Sequence, residues 1–390
     1  MASWISMDEA CRLLGVRPQT IYAYVSRGKW QVAPDPADTR RSLYRAEDVT
    51  ALAKRKQAGR KHETLATNTL FGSEPSIPTA LTAFFHGRAH YRGRDSLELA
   101  QAATLEEAAQ WMWDAEQPVD FASLAAKPAS TSALPAVPGR TAAFTALAAL
   151  AASGHSTRGR LRRVLHQEGQ GLVGLVADAF GAQPGKQPLH QRLARGWKQP
   201  PAVAELLRTA MVLLLDHELT SSAFAARIAA SNGASLPACL LAGLCTLSGP
   251  LHGDASGRVR ALFAEVERLG EEQVVVHYLS TGQPFAGFGH FLYPDGDPRA
   301  AALLALFEPP PVIARFINRV TTLTGLQPNV DVAMAALVGH YGLPADAAFG
   351  IMATARSVGL LAHSMEQLGV AQVIRPRGRY VGPMPVEAAP

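Results

Sequence analysis

Histidine, aspartate and arginine recur in this chain at breaks between helical patterns, where a polar side chain is presented rather than packed. His252 lies in Ser248–Gly257, in which one proline and three glycines interrupt a long apolar run. Such a break leaves backbone amides for an anionic or carbonyl oxygen and can hold the imidazole in one tautomer, as a donor to a developing oxyanion. His217 stands between Asp216 and Glu218, after an amphipathic pattern over Pro201–Leu215. Neither HExxH nor a Cys/His set accompanies it, so a hydrogen bond to substrate or a helix cap is a better reading than a metal ligand. His290 follows Gly287-Phe288-Gly289, a GxG without the third glycine or βαβ context of a dinucleotide site, and reads as the tip of a tight loop. Arg299 follows in Asp297-Pro298-Arg299-Ala300. Asp331 ends Pro328-Asn329-Val330-Asp331 at a helix start, Arg356 lies within a helical pattern, and Arg375 lies in a C-terminal loop or strand. Any one of these is ordinary core or surface content; acid/base groups and anion ligands in one ordered series are not.

The elements that must position them are helical. Alanine and leucine dominate the 48% apolar content, and long alternating β-branched runs are missing. With 390 residues there is room for two or three domains and a large core. Phe84–Asp95 reads as a short strand or hairpin with a turn at Tyr91-Arg92-Gly93, and Thr104 with Glu107 forms a capping box that opens a helix closing at Trp111 and Trp113. Lys127–Gly139 is loop-like. From Thr141 on, helices alternate with Gly/Pro turns. Thr141–Ser153 is the most apolar segment and reads as a buried helix, too short to span a bilayer. Three cysteines without CxxC spacing fit reduced thiols, and no apolar signal region opens the chain. The expectation is a soluble, cytoplasmic protein with no bound metal and no membrane contact.

Charge is uneven. Residues 1–62 carry 12 Lys/Arg against 6 Asp/Glu, and the remainder carries 25 against 26. The basic excess therefore sits in a short N-terminal segment, which points to a polyanion partner there. Within it, Ser6–Glu9 is a capping box, Gly15 ends the first helix, Pro18 starts a second carrying Ile21 and Val25 on one face, and Gly28 ends that one. Pro34–Arg45 fits a wing with an arginine pair. Together with Tyr44-Arg45 and Glu47-Asp48-Val49, this resembles the winged helix-turn-helix of the MerR and excisionase families over about 60 residues. The resemblance implies DNA binding, through Arg17, Thr20, Tyr22 and Arg27 of the second helix and through Arg40 and Arg41 of the wing. A small basic module used for dimerisation or docking is the alternative.

Asp216–Leu219 (DHEL), Gly249–Gly253 (GPLHG), Gly287–His290 (GFGH) with Asp297–Ala300 (DPRA), Pro328–Asp331 (PNVD), Thr354–Arg356 (TAR) and Ile374–Arg377 (IRPR) occur in one order. That set resembles the citrate synthase family over roughly residues 75–390. It implies a mainly α fold, a large helical domain plus a smaller one at ~253–345, preceded by residues 1–62 as the winged helix-turn-helix domain and 63–74 as a linker. It also implies condensation of acetyl-CoA (or propionyl-CoA) with oxaloacetate to citrate (or 2-methylcitrate) and CoA. The CoA thioester is then a co-substrate and no cofactor is needed. By resemblance, Asp331 is the base that removes the methyl proton, and His252 is the donor to the enolate oxygen. His290 polarises the ketone and protonates its alkoxide. Arg299, Arg356 and Arg375 bind the carboxylates with help from His217, Arg375 coming from the second subunit of a homodimer. Two positions depart from the family pattern. Asp254-Ala255-Ser256 replaces Gly-Ala-Asn beside His252 and is expected to disturb CoA docking or the enolate site, and Phe291 stands where many bacterial relatives carry an arginine. These departures keep a second reading open, a metabolite-sensing transcription regulator with a catalytically weak or inactive body.

Overall fold

The computed structural model describes residues 4–14, 21, 25, 30, 32–35, 38–50, 77–121, 138–370, 372–376 and 382, with the backbone alone at 39 and 40. The chain divides into two units, Met1–Pro78 and Thr79–Pro390. In the first, α1 (Met7–Leu14) starts at the expected capping box: Glu9 N donates to Ser6 Oγ at 3.3 Å, and Ser6 N to Glu9 Oε2 at 3.1 Å. Strands β1 (Trp4–Ile5), β2 (Val32–Asp35) and β3 (Asp38–Arg45) form an antiparallel sheet in the order β1-β3-β2, with Val32 opposite Tyr44. Ala10, Leu14, Ile21, Trp30, Tyr44 and Val49 make its core. The β2–β3 hairpin lies where the wing is expected, and Arg41 is exposed there, 3.4 Å from Asp38. Arg17, Thr20, Tyr22, Arg27, the Arg40 side chain and the 63–74 linker lie outside the described residues, as does the expected second helix apart from Ile21 and Val25.

The second unit opens on an antiparallel meander, β4 (Thr82–Phe85), β5 (Arg88–Tyr91) and β6 (Arg94–Asp95). Arg92 (φ 46°) and Gly93 (φ 82°) take the two left-handed positions that a two-residue hairpin turn demands. Helices follow: α2 (Ser96–Ala102), α3 (Leu105–Trp113, with the Thr104/Glu107 capping box), α4 (Arg140–Ser153), α5 (Arg162–Ala179), α6 (Leu189–Gly196), α7 (Pro201–Leu214), α8 (Ser221–Ser231) and α9 (Leu236–Leu247). A second group comprises α10 (Ala255–Leu269), α11 (Glu271–Thr281), α12 (Pro298–Leu304), α13 (Pro311–Thr324) and α14 (Val330–His340). These pack chiefly on one another, around Phe263, Phe285, Phe288 and Phe316. The last helix, α15 (Ala347–Leu368), is buried without a break from Ala347 to Ser364, because α3, α5, α7, α8 and α9 surround it.

Two helices differ from expectation. α4 buries one face through Ala142, Ala143, Ala146 and Leu147, while Ala148, Ala149 and Ala152 are exposed; alanine is too small for composition alone to say which side faces inward. α7 is amphipathic only at its start, and its end is wholly buried against α15. Polar bonds fix that end. Arg356 Nε donates to Leu214 O at 3.0 Å, and Tyr91 Oη to Leu213 O at 3.1 Å and Asp216 O at 3.2 Å. The buried Asp216 carboxylate accepts from Thr82 Oγ1 at 2.5 Å and faces His363 Nε2 at 3.3 Å. Arg227 Nε donates to His363 Nδ1 at 2.9 Å and its guanidinium pairs with Glu366. His363, read as structural in the sequence, is thus a fully buried link between α8, α15 and the turn after α7.

Gly359 is the position where α15 touches that turn. A Cβ there would lie 2.4 Å from Leu215 O and 2.6 Å from Asp216 Oδ1. Backbone cannot yield as a flexible side chain can, so Gly359→Ala is expected to lower unfolding stability by about 1–3 kcal/mol in denaturant titration. An unchanged midpoint would show that α15 slides freely past the turn.

Candidate active site

Between α9 and α10 the chain reverses in a tight turn. His252 N donates to Gly249 O and Gly253 N to Leu247 O, both at 2.9 Å, while Asp254 N reaches Gly249 O and Ala255 N reaches His252 O. Most of the amides expected to receive a ligand oxygen are therefore used inside the turn, and that of Ser256 is bonded to Asp331. A Cβ on Gly253 would sit 2.8 Å from Leu247 O, so only glycine lets the turn close on the helix end. What the turn presents is the His252 ring, whose Nε2 is 2.8 Å from Ser222 Oγ. Burial first, then the Arg356 charge, push its pKa down to about 4, which keeps the ring neutral at physiological pH.

Asp331 occupies the first turn of α14, where the Asn329 side chain caps the helix by accepting from Asp331 N at 2.9 Å. The loop bearing His290 is laced to this helix start. Phe288 bridges Pro328, Gly289 N donates to Gln327 O at 2.8 Å, and Asn329 N to Gly287 O at 2.8 Å. Gly287 has φ 84°, and a Cβ there would meet Val259 and Val332 at 2.6 and 2.7 Å. One backbone ladder thus carries both His290 and Asp331. Burial pushes the Asp331 carboxyl up to about 6 with help from Asp297, against the pull of Arg299, a Ser256 backbone hydrogen bond and Arg356.

His290 Nδ1 accepts from Leu292 N at 3.2 Å, which leaves the hydrogen of the neutral ring on Nε2. Burial and then Arg299 lower its pKa, with Asp297 opposing. The His217 ring meets that of His290 edge-on at 5.3 Å and has Nε2 3.2 Å from Tyr293 Oη. Burial, followed by Arg299 and Arg356, puts His217 well below the ordinary histidine value. Arg299 is held by Asp297 in a two-point pair, Nε to Oδ1 at 3.0 Å and Nη2 to Oδ2 at 2.8 Å. Asp297 also caps α12 and accepts from Val330 N at 2.9 Å. Burial alone would raise the Asp297 carboxyl, but Arg299 and these hydrogen bonds hold it below the usual range. Arg356 is buried on α15 and, among the described residues, has no carboxylate within ion-pair distance.

His217, His252, His290, Arg299, Asp331 and Arg356 are thus brought together, and Arg375 is not. It is exposed, and the neighbouring Ile374 N donates to Ser231 Oγ, at the far end of α8 from Ser222. At about 1.5 Å per helical residue those two serines are about 14 Å apart. Asp254, expected to disturb CoA docking or the enolate site, points to Arg140, with Oδ1 2.9 Å from Nη2. Ser256 is buried and serves Asp331 through its backbone. Sequence reasoning missed Ser222, Tyr293 and Asp297 as supports. The Asp297-Pro298 pair signals a helix start; Ser222 and Tyr293 have partners too distant in the chain to leave a local mark. Among the described residues no three His, Cys, Asp or Glu side chains gather as metal ligands, and no helix is long and apolar enough to cross a membrane.

A family model described as citrate synthase, C-terminal domain, matches residues 74–377. The chain belongs to the citrate synthase family. Its curated relatives include putative citrate synthase 2 of Mycobacterium tuberculosis, 32% identical over 198 residues that cover 47% of this chain and 53% of that protein. The citrate/2-methylcitrate synthase of Bacillus subtilis is 31% identical over 202 residues, 48% of this chain and 54% of that one. The chain spans about half the length of these curated relatives. Among solved structures, a citrate synthase of the archaeon Thermoplasma acidophilum, in ternary complex with carboxymethyl coenzyme A and oxaloacetate, superposes with a TM-score of 0.68. It covers 83% of this chain and 98% of its own at 20% identity, a likeness of fold. The mainly helical expectation is met by this citrate synthase fold.

The raised Asp331 pKa has a consequence for stability. Its carboxyl lies near 6 when folded against an ordinary 3.8, so the folded state is penalised once the group ionises: not below about pH 4, increasingly to pH 6, and constantly above. Asp331→Asn is expected to raise the unfolding free energy at pH 7.5 by about 1–3 kcal/mol and to lose that advantage below pH 4. Thermal unfolding at the two pH values checks this, and a variant less stable at pH 7.5 would show an ionised aspartate welcomed by the site.

Proposed function

We propose that the chain condenses acetyl-CoA or propionyl-CoA with oxaloacetate, giving citrate or 2-methylcitrate and CoA. The observation that carries this reading is an aspartate tuned to about 6 on the same backbone ladder as a neutral histidine with its hydrogen on Nε2. A carboxylate base can remove a proton from a thioester methyl group only if a donor stabilises the enolate oxygen. Asp331 takes the proton. With the Ser222 hydroxyl donating to its Nε2, His252 offers Nδ1–H to the thioester oxygen. The methylene carbon then attacks the ketone carbon, His290 gives its Nε2 proton to the resulting alkoxide, and the proton held by Asp331 returns through water to the His290 ring, which restores both groups. Hydrolysis of the thioester releases CoA. Arg299 and Arg356 take the two carboxylates of the keto acid and His217 donates beside them. Arg375 completes the anion set from a second copy of the chain, which makes the working unit a homodimer.

The purified chain is expected to release thiol from acetyl- or propionyl-CoA only when oxaloacetate is present. The rate should fall on the acid side with a midpoint near pH 6, where Asp331 becomes protonated; His252, near 4, stays neutral through that range. Asp331→Asn should lower kcat by about a thousandfold or more with little change in oxaloacetate affinity. Arg375→Ala should also be impaired, and mixing it with Asp331→Asn should recover activity, since one site of the mixed dimer has both groups. No thiol release with either thioester would overturn the proposal.

We also infer that residues 1–62 form a winged helix-turn-helix that binds DNA, which makes the chain an enzyme with an appended DNA-binding module. The support is their twofold excess of basic over acidic residues and the exposed Arg41 on the β2–β3 hairpin beside α1. Binding should weaken steeply with salt and be lost in Arg40→Ala/Arg41→Ala, as read by fluorescence anisotropy on duplex DNA. Salt-independent or absent binding would refute it. If the body were only a sensor of oxaloacetate, citrate or CoA esters, those ligands would shift DNA affinity while no thiol was released.

A further inference from the structure

The helices α10–α14 form a group joined to the rest of the second unit at two chain crossings. The chain enters at Asp254, directly after the His252 turn, and leaves through the loop ending at Asp346, before α15. The site is divided between the two sides of these crossings. Asp331, His290 and Arg299 ride with the group, while Ser222 and Arg356 belong to the surrounding helices and His217 to the turn after α7.

Arg140, the first residue of α4, spans both. Its Nη2 lies 2.9 Å from Asp254 Oδ1 and 3.8 Å from Asp346 Oδ1, and its backbone N donates to Asp346 Oδ2 at 3.2 Å. The guanidinium carbon sits 4.0 Å from the centre of the Phe349 ring, which fixes the plane of the fork. Gly139 has no side chain to cap α4, so Asp346 caps it from across the crossing. Arg260 of α10 adds a hydrogen bond to Ala345 O. Arg140 and Asp254 are about 70% covered, so this pair is worth more than a fully solvated one.

We propose that Arg140, with Asp254 and Asp346, is a clasp that positions the His252 turn and sets how α10–α14 sit over the substrate. Asp254 is one of the positions where the chain departs from the family pattern; the departure supplies the carboxylate that the clasp needs. Arg140 is a positioning residue, since it acts through the turn and the crossing.

The consequence for turnover rests on the condensation reading, so the decisive measurement is one that needs no turnover. Amide hydrogen exchange of the full-length chain is compared for the unsubstituted protein, Arg140→Met, Asp254→Asn and the double variant. Each single substitution is expected to speed exchange of the amides of residues 252–257 about three- to tenfold, with α5 and α7 unchanged. The double variant should be no faster than Arg140→Met alone, because that substitution already removes the contact that Asp254→Asn removes. Equal exchange in all four proteins, additive effects, or acceleration throughout the unit would overturn the clasp. Where the chain turns over, Arg140→Met should raise the KM for oxaloacetate about fivefold, because Arg299 and Arg356 sit on opposite sides of the crossings, and should lower kcat as well, because the His252 turn is loosened. A drop in kcat at unchanged KM would mark a merely destabilised fold. An unsubstituted chain without thiol release would sink the condensation reading and leave the exchange result standing.

Discussion

Two guanidinium groups, Arg299 and Arg356, are buried in one site where a single carboxylate, Asp297, makes a two-point contact with either of them. Taking a cation out of water costs several kcal/mol unless close partners replace the solvent. Arg299 has such a partner. Arg356 has a backbone carbonyl, Leu214 O, and the more distant field of Asp216. Much of the remaining architecture answers this imbalance. α15 must run within reach of the end of α7 for Arg356 to meet that carbonyl, and there Gly359 lies against Leu215 while Asp216 is anchored by Thr82 and His363. Burial first, and then the arginine charges, Arg299 beside His217 and His290 and Arg356 beside His217 and His252, lower the pKa values of the three site histidines. Neutral rings donate hydrogen bonds without repelling a cationic neighbour, and the positive excess remains for an anion to neutralise.

Much of the site was legible because its residues sit at helix breaks, and breaks leave marks in sequence. Gly253 and Gly287 announce themselves since no other residue fits their contacts, and Asn329 announces the start of α14. The capping boxes at Ser6 and Thr104 were readable because both partners lie within one turn. What was not legible depends on contacts between distant segments. Nothing near Ser222 says that His252 will meet it, and nothing near Asp254 says that Arg140 will. The amides of the His252 turn look free in sequence and are bonded in the structure, because how sharply a chain reverses is settled by the helices on either side. The exposed face of α4 was hidden for a different reason: a helix of alanines has no polar stripe to show which side meets solvent.

The division of the site between two helix groups separates two tasks. Asp331, Asp297 and Arg299 form one cluster, because Asp297 pairs with Arg299 and also accepts from Val330 N, the residue beside Asp331. Beyond burial, the groups that act most on the Asp331 carboxyl, Arg299, Asp297 and the Ser256 backbone, move with it, and Arg356 on α15 acts less. His217, Ser222 and Arg356 lie on the other side and define where an anion must sit. A substrate carrying negative charge at both ends would be gripped by Arg299 on one side and Arg356 on the other, so its binding energy draws the groups together. Asp331 would then be brought towards the surrounding helices only when such an anion fills the site, and closing the site in this way limits solvent access.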